Sequence, residues 1–290
     1  MRCDTIQCIH SGMRFAMRRI QLIPAVAAFV LALIPGFAQD KPTKPEDLVI
    51  VRKGTLPIII SAPHGGRKEV PGVAERKGVG ITQFATVRDE NTDLLAEILA
   101  TELEKKLGGK PWIVIARFDR KYIDANRPPD QSYESETAKS FYDAYHDPLI
   151  AACKAVKEKH GRGLLLDLHG QGVHQDAICR GTRNGKTLSL LVDRYGWPAV
   201  TGKHSVMGYL ENAGYRVLPK CDAPRETKEE PGFTGGHTVG TYGSHTGYGI
   251  DAIQLEFGVN FRFKDMYSKT GKVLAEAVAD FHDMYLKDEK

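Results

Sequence analysis

The chain has 290 residues, of which 42% are hydrophobic and 26% are charged, a balance that excludes a disordered, collagen-like or repeat protein. It carries 40 basic and 36 acidic residues, but residues 1–38 hold four of the basic residues and one acid, so the remainder has a net charge of only +1. A surface this close to neutral argues against nucleic acid or anionic lipid as a partner and favours a small molecule.

Residues 1–38 have the pattern of a secretory signal peptide. A basic segment that starts at Met13 precedes the apolar residues 20–38, and a small residue, Ala38, stands before polar sequence. The apolar stretch is also long enough for a membrane anchor, but two prolines and a glycine interrupt it. We therefore predict cleavage, export to the periplasm or the extracellular space, and no stable membrane span after cleavage. Residues 1–12 fit an upstream mis-start before Met13.

A short polar linker, residues 39–46, is expected to separate this segment from a single domain, residues 47–290. No later stretch has the length or composition of a second linker. Cys153, Cys179 and Cys221 lie in the domain and allow at most one disulfide, so its stability must come from a packed core.

Apolar, β-branched segments alternate with helical patterns along the domain. Strands are predicted at residues 56–60, 112–116, 164–168 and 252–257, and helices at residues 91–107, at residues 139–160 and from about residue 268 onwards. Strands that are apolar on both faces and separated by helices predict an α/β fold with a mixed, largely parallel sheet sandwiched by helices. Ligands bind at the carboxyl ends of the strands in such sheets, so the residues there are the candidates for a binding or catalytic site.

A histidine stands at the end of two predicted strands, His64 in SAPHGG and His169 in LLLDLHGQG. Imidazole is a common zinc ligand, and the flanking glycines let a cation and its water approach the backbone. A single histidine of this kind is equally a loop residue that satisfies a turn, but two of them favour a metal site. Asp167 lies on the same strand face as His169, either as an orienting group or as a structural carboxylate.

A zinc site that keeps a position open for water needs a third protein ligand. Asp89 and Glu90, just before the first predicted helix, are the candidates, and Asp89 is preferred. Acidic residues at this place also cap helices and interact favourably with the helix dipole, so both interpretations of Asp89 stay open.

The segment RKYIDANRPP follows the strand at residues 112–116 and combines Arg120, Asn126 and Arg127. A guanidinium binds a carboxylate through two hydrogen bonds and an amide adds a third, so this set suits anion recognition, although an ordinary surface loop has the same composition. Glu256 lies inside the apolar segment AIQLEFG. A carboxylate in an apolar strand is costly unless paired or used, which makes Glu256 a candidate general base, with a structural salt bridge as the competing interpretation.

Taken together, the segments SAPHGG, RDENTDLLA, RKYIDANRPP, LLLDLHGQG, FTGGHTVGTYG and AIQLEFG resemble the N-formylglutamate amidohydrolase family, a branch of the zinc carboxypeptidase and aspartoacylase-like hydrolases, over about residues 56–260. The resemblance implies a phosphorylase/hydrolase-like fold, one Zn²⁺ ion, and hydrolysis of the amide bond of an N-acyl amino acid such as N-formylglutamate. It further implies zinc binding by His64, Asp89 and His169, a general base at Glu256, an oxyanion-stabilising group at Arg120, and a carboxylate site at Asn126 and Arg127.

Two features depart from this pattern. The carboxypeptidase and aspartoacylase branches have a glutamate ligand where this chain has Arg67, so the third ligand stays open between Asp89 and Glu90. The enzyme that names the family works in the cytoplasm, whereas this chain is expected to be exported. An exported zinc carboxypeptidase or cell-wall peptide amidase, acting on a short peptide with a free carboxylate, is therefore the alternative.

Two further classes fit part of the pattern. A non-haem iron oxygenase also uses two histidines and a carboxylate, and metal analysis distinguishes it from a zinc hydrolase. An exported binding protein would keep the carboxylate pocket without turnover, and a hydrolysis assay distinguishes that class.

Overall fold

The computed structural model describes residues 43–264 and 266–287. The predicted signal peptide and the first part of the predicted linker lie outside the described residues. Within these two ranges, no helix combines the length and the hydropathy that a membrane crossing requires. Cys153, Cys179 and Cys221 are all free thiols.

The strands of the described residues are β1 Val49–Arg52, β2 Ile58–Ala62, β3 Trp112–Ala116, β4 Leu164–Gln171, β5 Ala177–Gly181, β6 Arg216–Leu218 and β7 Asp251–Gly258. The α-helices are α1 Thr92–Leu107, α2 Pro129–Ser132, α3 Lys139–His160, α4 Ser189–Tyr195, α5 Pro198–Thr201, α6 Val206–Asn212, α7 His237–Tyr242 and α8 Met266–Phe281. Short 3-10 turns cover Pro45–Leu48, Glu136–Ala138, Lys186–Leu188 and Val259–Phe261, and a π turn covers His282–Leu286.

The strands form one sheet in the order β1-β3-β2-β4-β7-β5-β6. The pairs β3/β2, β2/β4, β4/β7 and β5/β6 are parallel, whereas β1/β3 and β5/β7 are antiparallel. The predicted mixed, largely parallel sheet sandwiched by helices is confirmed. The sequence pattern did not reveal β1, β5 and β6, because these strands are short and carry arginines that interrupt any apolar run.

Helices cover both faces of the sheet, and successive residues of the central strands alternate between the two cores. Ile58 and Ile60 of β2 belong to the core that includes residues of α1 and α8, whereas Ile59 belongs to the core that includes residues of α3. In β4, Leu166 and Leu168 belong to the same core as Ile58 and Ile60, whereas Leu165 belongs to the core of Ile59. Burial of each such side chain contributes roughly 1.5–3 kcal/mol, which explains why both strands are apolar throughout their first halves.

The same alternation determines where the polar residues of these strands lie. Asp167 and His169 continue the face of Leu165, towards α3. In the β4/β7 register Asp167 is opposite Gln254 and His169 is opposite Glu256, so the four side chains share one face of two adjacent strands. Both strands extend past their predicted ends, to Gln171 and Gly258, and His169 therefore lies within β4 and not in the loop after it.

Candidate active site

Three of the predicted metal ligands converge. The Oδ2 atom of Asp89 lies 3.3 Å from Nδ1 of His64 and 3.2 Å from Nδ1 of His169. All three residues are buried, and their potential ligand atoms lie within 4.8 Å of one another. With zinc–ligand distances of about 2.0–2.2 Å, neighbouring ligands of a tetrahedral ion lie roughly 3.3 Å apart. This group could therefore hold a metal ion, and its two Asp89–histidine distances match those between neighbouring ligands of such an ion.

Asp89 contributes its carboxylate to this group and does not cap α1. The residue at the N-cap is Asn91, whose φ of 66° is left-handed, and no side chain caps the helix. Thr92 instead donates to the main-chain oxygen of Asp89 at 2.8 Å, and the N–H of Gly170 donates to Asp89 Oδ2 at 3.1 Å. These bonds leave the carboxylate directed towards the two histidines.

Glu90, the alternative third ligand, lies outside the group. Its carboxylate is paired with Arg88 at 2.8 Å, and its side chain is 44% exposed. Arg67, the residue at which the sequence departs from the carboxypeptidase pattern, is exposed, and its backbone pairs with Arg117. Gly66 permits this pairing, because a Cβ there would collide with the backbone of Arg117 and Phe118. The turn after β2 thus contributes one residue, His64, to the His64–Asp89–His169 group.

A buried carboxylate holds the far nitrogen of each histidine. Nε2 of His64 lies 2.7 Å from Asp124 Oδ1, and Nε2 of His169 lies 2.8 Å from Asp167 Oδ2. A metal ion at Nδ1 would take the place of the proton that each ring shares with Asp89, while the Nε2–H would stay directed at its carboxylate, the arrangement usual for metal-binding histidines. Asp167 thus has the orienting position that the sequence left as one of two options. The sequence analysis assigned no role to Asp124, although it lies in the RKYIDANRPP segment.

The buried carboxylates and histidines of this site stabilise one another's charged forms. Burial opposes ionisation of Asp89, but hydrogen bonds to His169 and His64 outweigh it and hold the Asp89 pKa well below its usual range. Burial likewise opposes ionisation of Asp124, yet its pKa is also lowered, by His64 and Arg120. Burial disfavours a charged His169, but Asp167 and Asp89 raise its pKa well above the ordinary value. Ionised carboxylates therefore surround the histidines, an environment that attracts a divalent cation.

The convergent residues line a cavity of about 430 Å³, and the glycine-rich segment 232–236 forms part of its wall. The predicted site residues that line it are His64, Asp89, Arg120, Asn126, Arg127, His169 and Glu256. Every predicted site residue therefore faces the same space. This size lies within the range of small-molecule sites.

Glu256 is buried in this cavity wall without an ion-pair partner among the described residues. Its Oε1 accepts a hydrogen bond from Gln254 Nε2 at 2.8 Å. Burial, together with the negative charge of Asp89, raises the Glu256 pKa to about 7, against the opposing effects of His169 and the Gln254 hydrogen bond. A carboxylate with a pKa near neutrality suits proton transfer in both directions.

Arg120 is anchored by the same carboxylate that orients His64. Its Nε and Nη2 lie 2.9 and 2.8 Å from Asp124 Oδ2, and its Nη1 lies 3.8 Å from Asp89 Oδ1. These contacts fix the guanidinium in the cavity wall next to Asp89. The predicted role of Arg120 towards an oxyanion stays a prediction.

Arg127 and Asn126 differ in how their polar atoms are used. Arg127 donates to the backbone oxygens of Asn126 and Gln83, and its Nε has no hydrogen-bond partner; among the described residues no carboxylate lies within ion-pair distance of it. Asn126 Oδ1 accepts from the N–H of Thr238, and its Nδ2 donates to Gln254 Oε1. Arg127 thus lines the cavity without a carboxylate partner among the described residues, whereas the Asn126 amide is engaged by the protein; the contact of either residue with substrate stays a prediction.

Two residues absent from the sequence-based set anchor the glycine-rich segment 232–236 and the chain just before it. Gln254 Oε1 accepts from the N–H of Gly236 at 2.7 Å, which ties the glycine-rich segment to β7. Buried Glu229 accepts from Arg180 and from the N–H groups of Thr182 and Asn184 at 2.9–3.1 Å. A polar residue inside an apolar strand was a usable signal for Gln254, as it was for Glu256. Glu229 lies in a polar segment and offered no such signal.

The fold and the site define an α/β protein whose described residues form a mixed seven-stranded sheet and a buried group that could hold a metal ion. No family model and no curated protein matches the chain. Among solved structures, N-formylglutamate amidohydrolase from Ralstonia eutropha JMP134 is similar, with a TM-score of 0.57 and 15% identity over 82% of this chain and 98% of that one. This likeness establishes a shared fold.

Two further solved structures are similar at lower scores. The gene product Atu2144 from Agrobacterium tumefaciens has a TM-score of 0.47 and 14% identity, over 82% of this chain and 94% of that one. A bacteriophage poly-gamma-glutamate hydrolase has a TM-score of 0.40 and 14% identity, over 82% of this chain and 88% of that one.

Proposed function

We propose that this protein is a zinc-dependent amidohydrolase that cleaves the amide bond of an N-acyl amino acid. The observation that carries the proposal is the convergence of His64 Nδ1, His169 Nδ1 and Asp89 Oδ2 in the wall of a cavity that Glu256 also lines. The fold shared with an N-formylglutamate amidohydrolase supports the same reaction class.

His64, Asp89 and His169 would hold the zinc ion, with Asp124 and Asp167 orienting the two rings. When bound, zinc would polarise the amide carbonyl and lower the pKa of a coordinated water from about 15.7 towards 7. Three protein ligands leave a coordination position for that chemistry, as catalytic zinc sites require.

The remaining residues of the cavity would bind the substrate and move the proton. Arg127 binds the substrate carboxylate. This contact places the amide between Arg120 and the group formed by His64, Asp89 and His169. Glu256 accepts a proton from the attacking water while the water oxygen bonds to the carbonyl carbon. Arg120 stabilises the carbonyl oxygen, which gains negative charge in this step. Glu256 then passes the proton to the amine nitrogen as the C–N bond breaks. The products are a carboxylic acid and a free amino acid.

The other classes explain less of the cavity. An iron oxygenase accounts for the two histidines and Asp89 but gives no role to Glu256 and Arg127. A binding protein would use Arg127 but would give no role to the group of His64, Asp89 and His169. The exported carboxypeptidase or peptide amidase differs from the proposal only in the acyl part of the substrate.

A substrate screen tests the proposal. The purified protein, loaded with zinc or with ferrous iron and analysed for metal content, is incubated with N-formyl, N-acetyl and peptidyl amino acids, and release of free amine is measured. We expect hydrolysis with zinc and none with the Glu256→Gln variant. Glu276→Gln, the same change on the surface of α8, is the matched control. Absence of hydrolysis across the screen would refute the proposal.

We also propose that the protein is exported, on the pattern of residues 1–38. Cell fractionation and sequencing of the mature N-terminus test this. Recovery of the intact chain from the cytoplasm would refute it.

A further inference from the structure

Gln254 connects three parts of the candidate active site. Its Nε2 donates to Glu256 Oε1 at 2.8 Å, and its Oε1 accepts from the N–H of Gly236 at 2.7 Å. The Nδ2 of Asn126 donates to the same Oε1 at 3.3 Å. Gln254 is buried and lines the cavity together with Glu256. One side chain therefore links the proposed general base to the glycine-rich segment 232–236 and to the RKYIDANRPP segment.

The orientation of the Gln254 amide follows from its partners. A backbone N–H can only donate, so the atom that faces Gly236 must be the side-chain oxygen. Asn126 imposes the same orientation, because its Oδ1 accepts from the N–H of Thr238 at 2.8 Å and its Nδ2 therefore faces Gln254. Since two donors hold its oxygen, the Gln254 amide has its NH₂ group directed at Glu256.

The close approach of these groups depends on the glycine at position 236. A Cβ there would collide with the amide of Asn126. A larger residue would displace that amide and, with it, one of the two donors to Gln254 Oε1. The backbone of the cavity wall is thus packed directly against the side chains that orient Gln254.

The hydrogen bond from Gln254 distinguishes the two oxygens of Glu256. Oε1 is held, whereas Oε2 accepts no hydrogen bond from the described residues. The terminal torsion of a glutamate side chain is soft, so without this donor the carboxylate can rotate. A general base must keep its acceptor oxygen within hydrogen-bond reach of the proton that it takes. The Gln254 donor therefore meets a requirement of the proposed reaction.

We propose that Gln254 is a positioning residue that fixes the Glu256 carboxylate through Oε1, leaves Oε2 to take the proton of the attacking water, and ties this orientation to the glycine-rich segment 232–236. This inference rests on the proposed amidohydrolase function. Gln254 takes no proton itself and acts through Glu256.

Two substitutions separate this role from that of a purely structural anchor of the cavity wall. Gln254→Met removes the hydrogen bonds to Gly236 and to Glu256. Gln254→Glu keeps an acceptor for Gly236 but offers Glu256 no donor at alkaline pH, where both carboxylates are ionised. We expect kcat of the zinc-loaded protein at this pH to fall about tenfold or more in both variants, as for the loss of one hydrogen bond to a charged group. KM and zinc content should stay close to those of the wild type, because neither variant alters the proposed carboxylate site or the proposed metal ligands.

Gln175 provides the matched control, because it is exposed between β4 and β5 and does not line the cavity. Gln175→Met and Gln175→Glu should have wild-type kinetics. Thermal unfolding checks that each variant is folded, and Gln254→Glu carries the test by itself if Gln254→Met is not.

Three results would overturn the inference. Gln254→Glu at the wild-type rate would show that position 254 only anchors the wall. A raised KM with unchanged kcat would assign Gln254 to substrate binding, and loss of zinc would assign it to the metal site. Each of these results leaves the proposed function intact, whereas an inactive wild-type protein would overturn that function and this inference together.

Discussion

Asp124 joins His64 to Arg120. One of its carboxylate oxygens lies 2.7 Å from Nε2 of His64, and the other binds the Arg120 guanidinium at 2.8–2.9 Å. A fully buried carboxylate thus connects a proposed metal ligand to the proposed oxyanion-stabilising group. Because both partners are cationic or proton-donating, Asp124 remains ionised despite its burial.

We expect Asp124→Asn to weaken zinc binding by about 10–100-fold, because the amide no longer provides a charged acceptor to orient and polarise His64. Competition with a chromophoric chelator measures the affinity. Asp143→Asn, on the exposed surface of α3, is the control for the same chemical change. An unaltered zinc affinity in Asp124→Asn would show that His64 does not depend on this carboxylate.

Glu256→Gln should reduce kcat by about 10²–10⁴-fold, because the amide keeps the shape of the side chain but cannot accept a proton. The zinc content of the variant should stay at that of the wild type, since Glu256 is outside the His–Asp–His group. Turnover and metal content are measured on the same samples. Simultaneous loss of metal would assign Glu256 to metal binding in place of proton transfer.

Arg127→Ala should raise KM and leave kcat nearly unchanged, because a carboxylate contact is made equally in the ground state and the transition state. Arg127→Lys keeps the charge but not the paired hydrogen bonds, and it should recover part of the loss. Steady-state kinetics separates the two parameters. A KM equal to that of the wild type in Arg127→Ala would remove this residue from the substrate site.

Arg120→Ala should lower kcat by about 10²–10³-fold, the usual cost of losing one oxyanion donor. The variant also releases Asp124 from an ion pair, so zinc affinity is measured alongside kcat. Turnover at the wild-type rate in the zinc-saturated variant would contradict the assignment.

His146, a buried residue of α3, should make the stability of the protein depend on pH. Its Nε2–H donates to the Ala125 oxygen and its Nδ1 accepts from the Tyr242 hydroxyl, at 2.9 and 2.7 Å. Burial and the neighbouring His237 lower its pKa to about 4. Between this value and about 6.5, the unfolded chain binds more protons than the folded one, so the free energy of unfolding falls as the pH falls through this window. The full effect is on the order of 3 kcal/mol.

Urea denaturation at several pH values checks this expectation. His146→Gln removes the titrating group, so its free energy of unfolding should depend less steeply on pH between about 4 and 6.5 than that of the wild type. Asp251 acts in the opposite direction, because burial raises its pKa to about 6, but it is present in both proteins and cancels in the comparison. Parallel curves for the two proteins would rule out His146 as the source.

The local pattern of apolar residues in the sequence was sufficient to predict the main helices and strands. The helix predicted at residues 139–160 matches α3, and the strand predicted at residues 112–116 matches β3, because a periodic apolar pattern reflects burial directly. Strand β6, with three residues, leaves too short a pattern to detect. Its place in the sheet comes from pairing with β5, a contact between segments distant in the chain.

The sequence by itself determined the residue types of the site and the strand ends near which they stand, because hydrophobic periodicity and glycine punctuation are local properties of the chain. Only the tertiary structure decided between Asp89 and Glu90, turned Asp124 and Asp167 towards the two histidines, and set Glu256 opposite His169. Those relationships depend on the order and register of β2, β4 and β7 and on the turn before α1. They are distances between atoms that lie far apart along the chain, and a linear pattern contains no such distances.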